Sequence, residues 1–64
     1  MEKLLLTPEE AALCLSIGRS KIYELMSQGE IASVRIGGSR RVPADELSRF
    51  VERLRGGEAL ERTA

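Results

Sequence analysis

A mainly α domain with a small β-hairpin is the fold class predicted by the sequence, and three observations predict it. Thr7-Pro8-Glu9-Glu10 is a strong helix start. Ile22, Leu25 and Met26 recur at i, i+3, i+4 before a stop at Gly29. Val34 to Val42 carries two short extended runs around Gly37-Gly38-Ser39, and Leu47, Phe50, Val51 and Leu54 then repeat as a helical stripe. Helix, corner, helix, hairpin and helix in that order make a helix-turn-helix followed by a two-stranded wing and a third helix.

Leu4-Leu5-Leu6 is too short for a helix and is expected to be an extended lead-in packed on the core. In the first helix Thr7 is the N-cap, Pro8 sits at the first helical position, and Glu10 at N3 completes a capping box. The helix is expected to run to about Leu15, with Ala11, Ala12, Cys14 and Leu15 inward. Leu13 falls off that stripe and is either a rim residue or an exposed apolar contact. Ser16-Ile17-Gly18 makes the corner, with Ser16 or Gly18 supplying the tight backbone. The second helix is expected over Arg19 to Ser27, ended by Gly29 at C′. At ~100° per residue its outer face centres on Ser20, Glu24 and Ser27, flanked by Lys21, Tyr23 and Gln28.

The period of two along Ile31 to Ile36 places Val34 and Ile36 inward and Arg35 outward. Arg40-Arg41-Val42 returns as a short strand. Pro43-Ala44-Asp45-Glu46 opens the third helix, and Gly56-Gly57 ends it. The expected core gathers Ile22, Leu25, Val34, Ile36, Phe50 and Leu54. The domain is expected to span 1–55, with a disordered polar tail over 56–64.

A chain of 64 residues makes one small domain, and such chains bury only ~60% of the surface they expose when unfolded. Cys14 is the one cysteine and there is no histidine, so neither a disulfide nor a Cys/His zinc site can brace the fold. The expected place for Cys14 is the core of a reduced, cytosolic protein. The N-terminus lacks both a signal-peptide pattern and a spanning run.

Net charge is zero, but it is unevenly spread. Residues 19–41 hold five basic groups against two carboxylates, whereas 1–18 hold one against three and 42–64 hold four against five. The positive charge coincides with the second helix and the hairpin. A helix-turn-helix can set its second helix in a DNA major groove, and a basic hairpin beside it makes a winged reader. A modest local field suits weak individual binding assisted by cooperativity or partner proteins.

The order and spacing of Leu5-Leu6-Thr7-Pro8-Glu9-Glu10-Ala11-Ala12, Arg19-Ser20-Lys21-Ile22-Tyr23-Glu24-Leu25, Gly29-Glu30-Ile31, Val34-Arg35-Ile36-Gly37 and Arg41-Val42-Pro43-Ala44-Asp45-Glu46-Leu47 resemble the excisionase-type helix-turn-helix family, a compact relative of the MerR-like winged helices. The likeness covers about residues 4 to 54. It implies a second helix in the major groove and a wing in the neighbouring minor groove. It also implies one of two roles. One is a recombination directionality factor, an excisionase that bends attachment-site DNA and helps an integrase excise a mobile element. The other is a small transcriptional regulator. Three departures from the family pattern stand out. The usual Gly-Val-Ser corner is Ser16-Ile17-Gly18, which leaves a weaker glycine cap. Glu24 stands where members often carry a basic residue, and Arg40 where an aromatic or aliphatic one often sits.

The DNA-binding residues expected on the second helix are Arg19, Ser20, Lys21, Tyr23, Glu24 and Ser27. Arg19 and Lys21 can each donate to guanine O6 and N7 or hold a phosphate, with phosphate the simpler partner for Lys21. Ser20 and Ser27 are small enough to let the helix sit deep. Tyr23 can bond a phosphate, pack on the core edge, or do both. Glu24 either accepts from cytosine N4 or pairs with Lys21 or Gln28 on the helix surface. In the wing the expected contacts are Arg35, Ser39, Arg40 and Arg41, since guanidinium groups suit narrow A·T minor grooves. Arg40 and Arg41 point to opposite strand faces, so one of them is expected to run along the core edge.

No histidine, activated nucleophile or phosphate-cradling glycine loop is present, so an enzyme is not expected, nor is a metal or cofactor. The expected partners are double-stranded DNA, an integrase, and neighbouring copies along DNA, in the cytoplasm and on the nucleoid when bound. A protein-interaction module without DNA binding is the reading from another class, carried by the neutral net charge and Leu13.

Overall fold

A computed structural model describes residues 3–56. The element order is β1 (Leu5–Leu6), α1 (Pro8–Leu15), α2 (Arg19–Ser27), β2 (Val34–Ile36), β3 (Ser39–Pro43) and α3 (Ala44–Gly56). This is the winged helix-turn-helix expected. The proposed tail begins at Gly56, which closes α3; residues 57–64 lie outside the described residues.

The capping box forms as the sequence predicts. The Glu10 amide donates to Thr7 Oγ1 at 3.0 Å, and the Thr7 amide donates to Glu10 Oε1 at 2.9 Å. A side-chain contact from Lys3 also reaches the Glu10 carboxylate. At the corner it is Ser16 that turns the chain, with φ 59 and ψ 42, an uncommon left-handed conformation for a residue with a Cβ. Gly18 is then the N-cap of α2, extended and without a side-chain cap bond. Gly29 ends the segment at φ 80.

The lead-in packs only in part, since Leu4 is 84% exposed while Leu6 is buried, but it also pairs. Leu5 pairs with Pro43 and Leu6 with Val42, so β1 adds a strand and the sheet order is β1-β3-β2, antiparallel throughout. The return strand β3 is therefore the central strand and the longest of the three, not the short strand expected. Its hydrogen-bonding continues into α3, whose Ala44 amide donates to the Leu4 carbonyl at 2.9 Å.

The core consists of Leu6, Ala11, Ala12, Ile22, Met26, Ile31, Val42 and Leu47, with Leu15, Ile17, Leu25, Ala44 and Phe50 packed against it. The alanines let α1 lie close to its neighbours: α1 touches α2, β3, α3 and β1. Four expectations about burial need correction. Cys14 is exposed, not inward; it lies about 200° around the helix from Ala12. Val34 and Ile36 are 42% and 58% exposed. Leu54 is 44% exposed. Leu13, left open by the sequence, is 79% exposed.

The error at Val34 and Ile36 is one of phase. The hairpin pairs Val34 with Arg41, Arg35 with Arg40, and Ile36 with Ser39. Directly opposed residues share a sheet face, and alternate residues along a strand share it too. Buried Val42 thus defines a face that also bears Arg40 and Arg35, while Val34, Ile36, Ser39 and Arg41 occupy the other. Ile31 is the apolar residue of this segment that enters the core.

Candidate nucleic-acid interface

Two elements carry the expected DNA-facing residues, and the fold presents them in different electrostatic states. On α2 the residues Arg19, Ser20, Lys21, Tyr23, Glu24 and Ser27 are all exposed, because Ile22 and Met26 turn the opposite face into the core. Lys21 Nζ lies 3.2 Å from Glu24 Oε1, an i, i+3 ion pair. This is the surface pairing that the sequence left open for Glu24. Ser27 Oγ donates to the Glu24 carbonyl at 3.1 Å, so its hydroxyl is turned back to its own helix.

At the N-terminal end of α2 a residue outside the expected set intervenes. Glu9, in the first turn of α1, places Oε2 3.2 Å from Arg19 Nε and accepts a 3.1 Å hydrogen bond from the Tyr23 hydroxyl. The Arg19 guanidinium also lies over the Tyr23 ring, 5.7 Å from its centroid. Glu9 is held below the usual carboxylate range, first by a backbone hydrogen bond at its own helix start, then by Tyr23 and Arg19. Glu9 stands ten residues from Arg19, and only the sharp corner brings them together. No helical or strand spacing in the sequence marks such a pair.

The wing differs. Its two-residue loop, Gly37-Gly38, puts φ 63 at Gly37, the first loop position, where a tight hairpin turn of the II′ kind needs glycine. Arg35 and Arg40 face each other across the strands. Arg40 Nε donates to Ser33 Oγ at 3.1 Å, and Arg41 Nη1 donates to the Arg40 carbonyl at 2.9 Å. Arg41 is half-buried, although it lies on the face opposite Val42. Among the described residues none of the three wing arginines has a carboxylate partner. Like charges directly opposite on a sheet destabilise it, so the Arg35–Arg40 pair has electrostatic reason to accept an anion. Ser39 lies exposed on the other face, beside Val34 and Ile36.

Among the described residues no cluster of three or more metal-ligating side chains occurs, and no helix is long and apolar enough to cross a membrane.

Comparisons with known proteins support the helix-turn-helix fold. The family described as "Helix-turn-helix domain" matches residues 5–55. The chain is similar to a protein of Saccharopolyspora erythraea named "Probable excisionase", at 50% identity over 52 residues, covering 81% of this chain and 53% of that protein. It is also similar to a protein of Streptomyces ambofaciens named "Excisionase", at 44% identity over 48 residues, covering 75% of this chain and 77% of that protein. The chain thus spans about half the length of the first relative and about three quarters of the second. No solved structure matches it significantly.

Proposed function

The chain belongs to the excisionase-type helix-turn-helix DNA-binding family, and from that premise we propose that it is an excisionase: it binds and bends double-stranded attachment-site DNA and assists an integrase in excising a mobile element. The observation that carries this reading is the wing. Three arginines without a carboxylate partner among the described residues stand on a hairpin next to a helix-turn-helix, an arrangement suited to phosphate and minor-groove contact. In this reading α2 enters the major groove through Arg19, Ser20, Lys21, Tyr23, Glu24 and Ser27. Arg35, Ser39, Arg40 and Arg41 track the adjacent minor groove. The protein acts by binding and shaping DNA and performs no chemistry of its own.

Gel shifts of the purified protein on duplexes from the DNA flanking its gene, with the binding site permuted along the fragment, test binding and bending together. The expected result is a discrete complex whose mobility depends on site position. Excision by the cognate integrase should then depend on the protein. Absence of any shift at micromolar protein in low salt would favour a protein-interaction module instead.

A further inference from the structure

We propose that Glu9 is a positioning residue for sequence reading: it holds Arg19 in the orientation that reads a guanine from the N-terminal end of the recognition helix. The inference rests on the DNA-binding reading above and deepens it, by naming one base and the residue that enforces its choice.

A guanidinium has a fork, Nη1 and Nη2, and a side edge through Nε. Two parallel donors on the fork match the O6 and N7 acceptors of guanine in the major groove. An unrestrained arginine side chain loses much rotamer freedom when it makes that contact, which weakens discrimination. Here the restraint is already built. The Glu9 carboxylate engages the Nε side at 3.2 Å, and the Tyr23 ring covers one face of the group at 5.7 Å. The Tyr23 hydroxyl donates to the same oxygen, Glu9 Oε2, at 3.1 Å, so carboxylate and ring are themselves fixed to each other. Among the described residues neither Nη atom of Arg19 donates a hydrogen bond, and its ion pair with Glu9 is made through Nε. The fork is left for an outside ligand, at the helix end where base contacts concentrate.

Lys21, two residues on, lacks all of this. Its single ammonium pairs with Glu24, and an ammonium has no fork to align. Lys21 therefore suits phosphate and Arg19 suits a base. Glu9 is free for the task, since the capping of α1 falls to Glu10 and Thr7.

The test compares the full chain with Glu9→Gln, Arg19→Ala and Arg19→Lys on a footprinted duplex, on its four single-base versions at each position, and on a random duplex. Wild type is expected to prefer guanine at one position by about tenfold or more. Arg19→Ala and Arg19→Lys should both abolish that preference. Glu9→Gln should flatten the preference at that same base several-fold, while its random-duplex affinity stays level or rises because a negative charge is gone. Glu9→Gln should still melt cooperatively and well above the assay temperature, which separates positioning from folding. If Glu9→Gln shifts affinity equally on every sequence, or leaves the guanine preference intact, the positioning role is overturned while the DNA-binding reading survives. If wild type binds no duplex at all, both fall.

Discussion

The recognition helix and the wing carry similar residues in opposite electrostatic conditions. On α2 both cations have carboxylates at 3.2 Å, Glu9 for Arg19 and Glu24 for Lys21. On the wing, Arg35, Arg40 and Arg41 have none among the described residues, and two of them face each other. Exposed ion pairs are worth ~0–1 kcal/mol, so a phosphate can displace Glu24 from Lys21, and each carboxylate beside the helix subtracts from the net attraction it offers. The difference assigns labour. In the function proposed above, the wing supplies the field that brings DNA in, and the helix, with its charge locally balanced, discriminates among sequences without strong affinity for all of them. A chain with zero net charge can bind DNA in this way because, among the described residues outside α3, the cations without a carboxylate partner all sit on the wing.

The largest expected effect removes the frame that both regions share. Ile22 is fully buried where α2 meets the core; Ile22→Ala should cost about 2–5 kcal/mol. In so small a domain that should appear as a large fall in melting temperature and a loss of binding on every duplex. Next comes the wing. The double substitution Arg35→Ala/Arg40→Ala should leave the melting curve near wild type, or slightly raise it by relieving the like-charge pair. DNA affinity should fall about a hundredfold, at ~1.5 kcal/mol per charged contact, as read by fluorescence anisotropy. A smaller effect, of opposite sign, is expected on the helix. Glu24→Ala frees Lys21 for a phosphate and should raise random-duplex affinity by a few-fold, within the ~1 kcal/mol that an exposed pair can hold. A decrease on random DNA would show that Glu24 does more than neutralise Lys21.

Two finer predictions concern how α1 and α2 begin. A Cβ at Gly18 would meet nothing within 4 Å, and its backbone is extended at φ −78 and ψ 165. Gly18→Ser should therefore restore a side-chain cap and raise stability by a few tenths of a kcal/mol in a denaturant titration. Glu10 is held below its ordinary value of 4.5, first by Lys3 and then by the Thr7 amide. A carboxyl lowered in the fold stabilises it above the unfolded value and stops doing so as pH falls through the folded value. Wild-type melting should thus be level above about pH 5 and decline below 4.5. Glu10→Gln, which preserves the capping box, should show a shallower decline.

Helix boundaries were legible because local chemistry writes them. Thr7, Pro8 and Glu10 start α1, and Gly29 stops the second segment at the positive φ that favours glycine. The wing was legible as a hairpin from Gly37-Gly38, but its phase was not. A period of two says that residues alternate without saying which set faces inward, and here pairing to buried Val42 decides it. Val34 and Ile36 fell on the outer face for that reason. Cys14 was misplaced because α1 is eight residues long, too short for one stripe to be separated from its neighbours. The third strand rests on a pairing of two residues across most of the chain, which leaves no local mark. In the candidate interface the sequence pointed to the exposed face of α2 and to the wing cations. Glu9 reads in sequence only as a helix-start carboxylate, because its contacts with Arg19 and Tyr23 are made across the corner.

The central division of labour is tested most directly by the salt dependence of binding to one duplex, compared across wild type, Lys21→Ala and Arg35→Ala/Arg40→Ala. Each phosphate contact contributes about 0.9 to the slope of log affinity against log salt. The double wing substitution should reduce the slope by about 2, and Lys21→Ala by about 1 or less, because Glu24 already competes for that ammonium. A wing variant with the wild-type slope, beside a Lys21 variant with a sharply reduced one, would contradict the account.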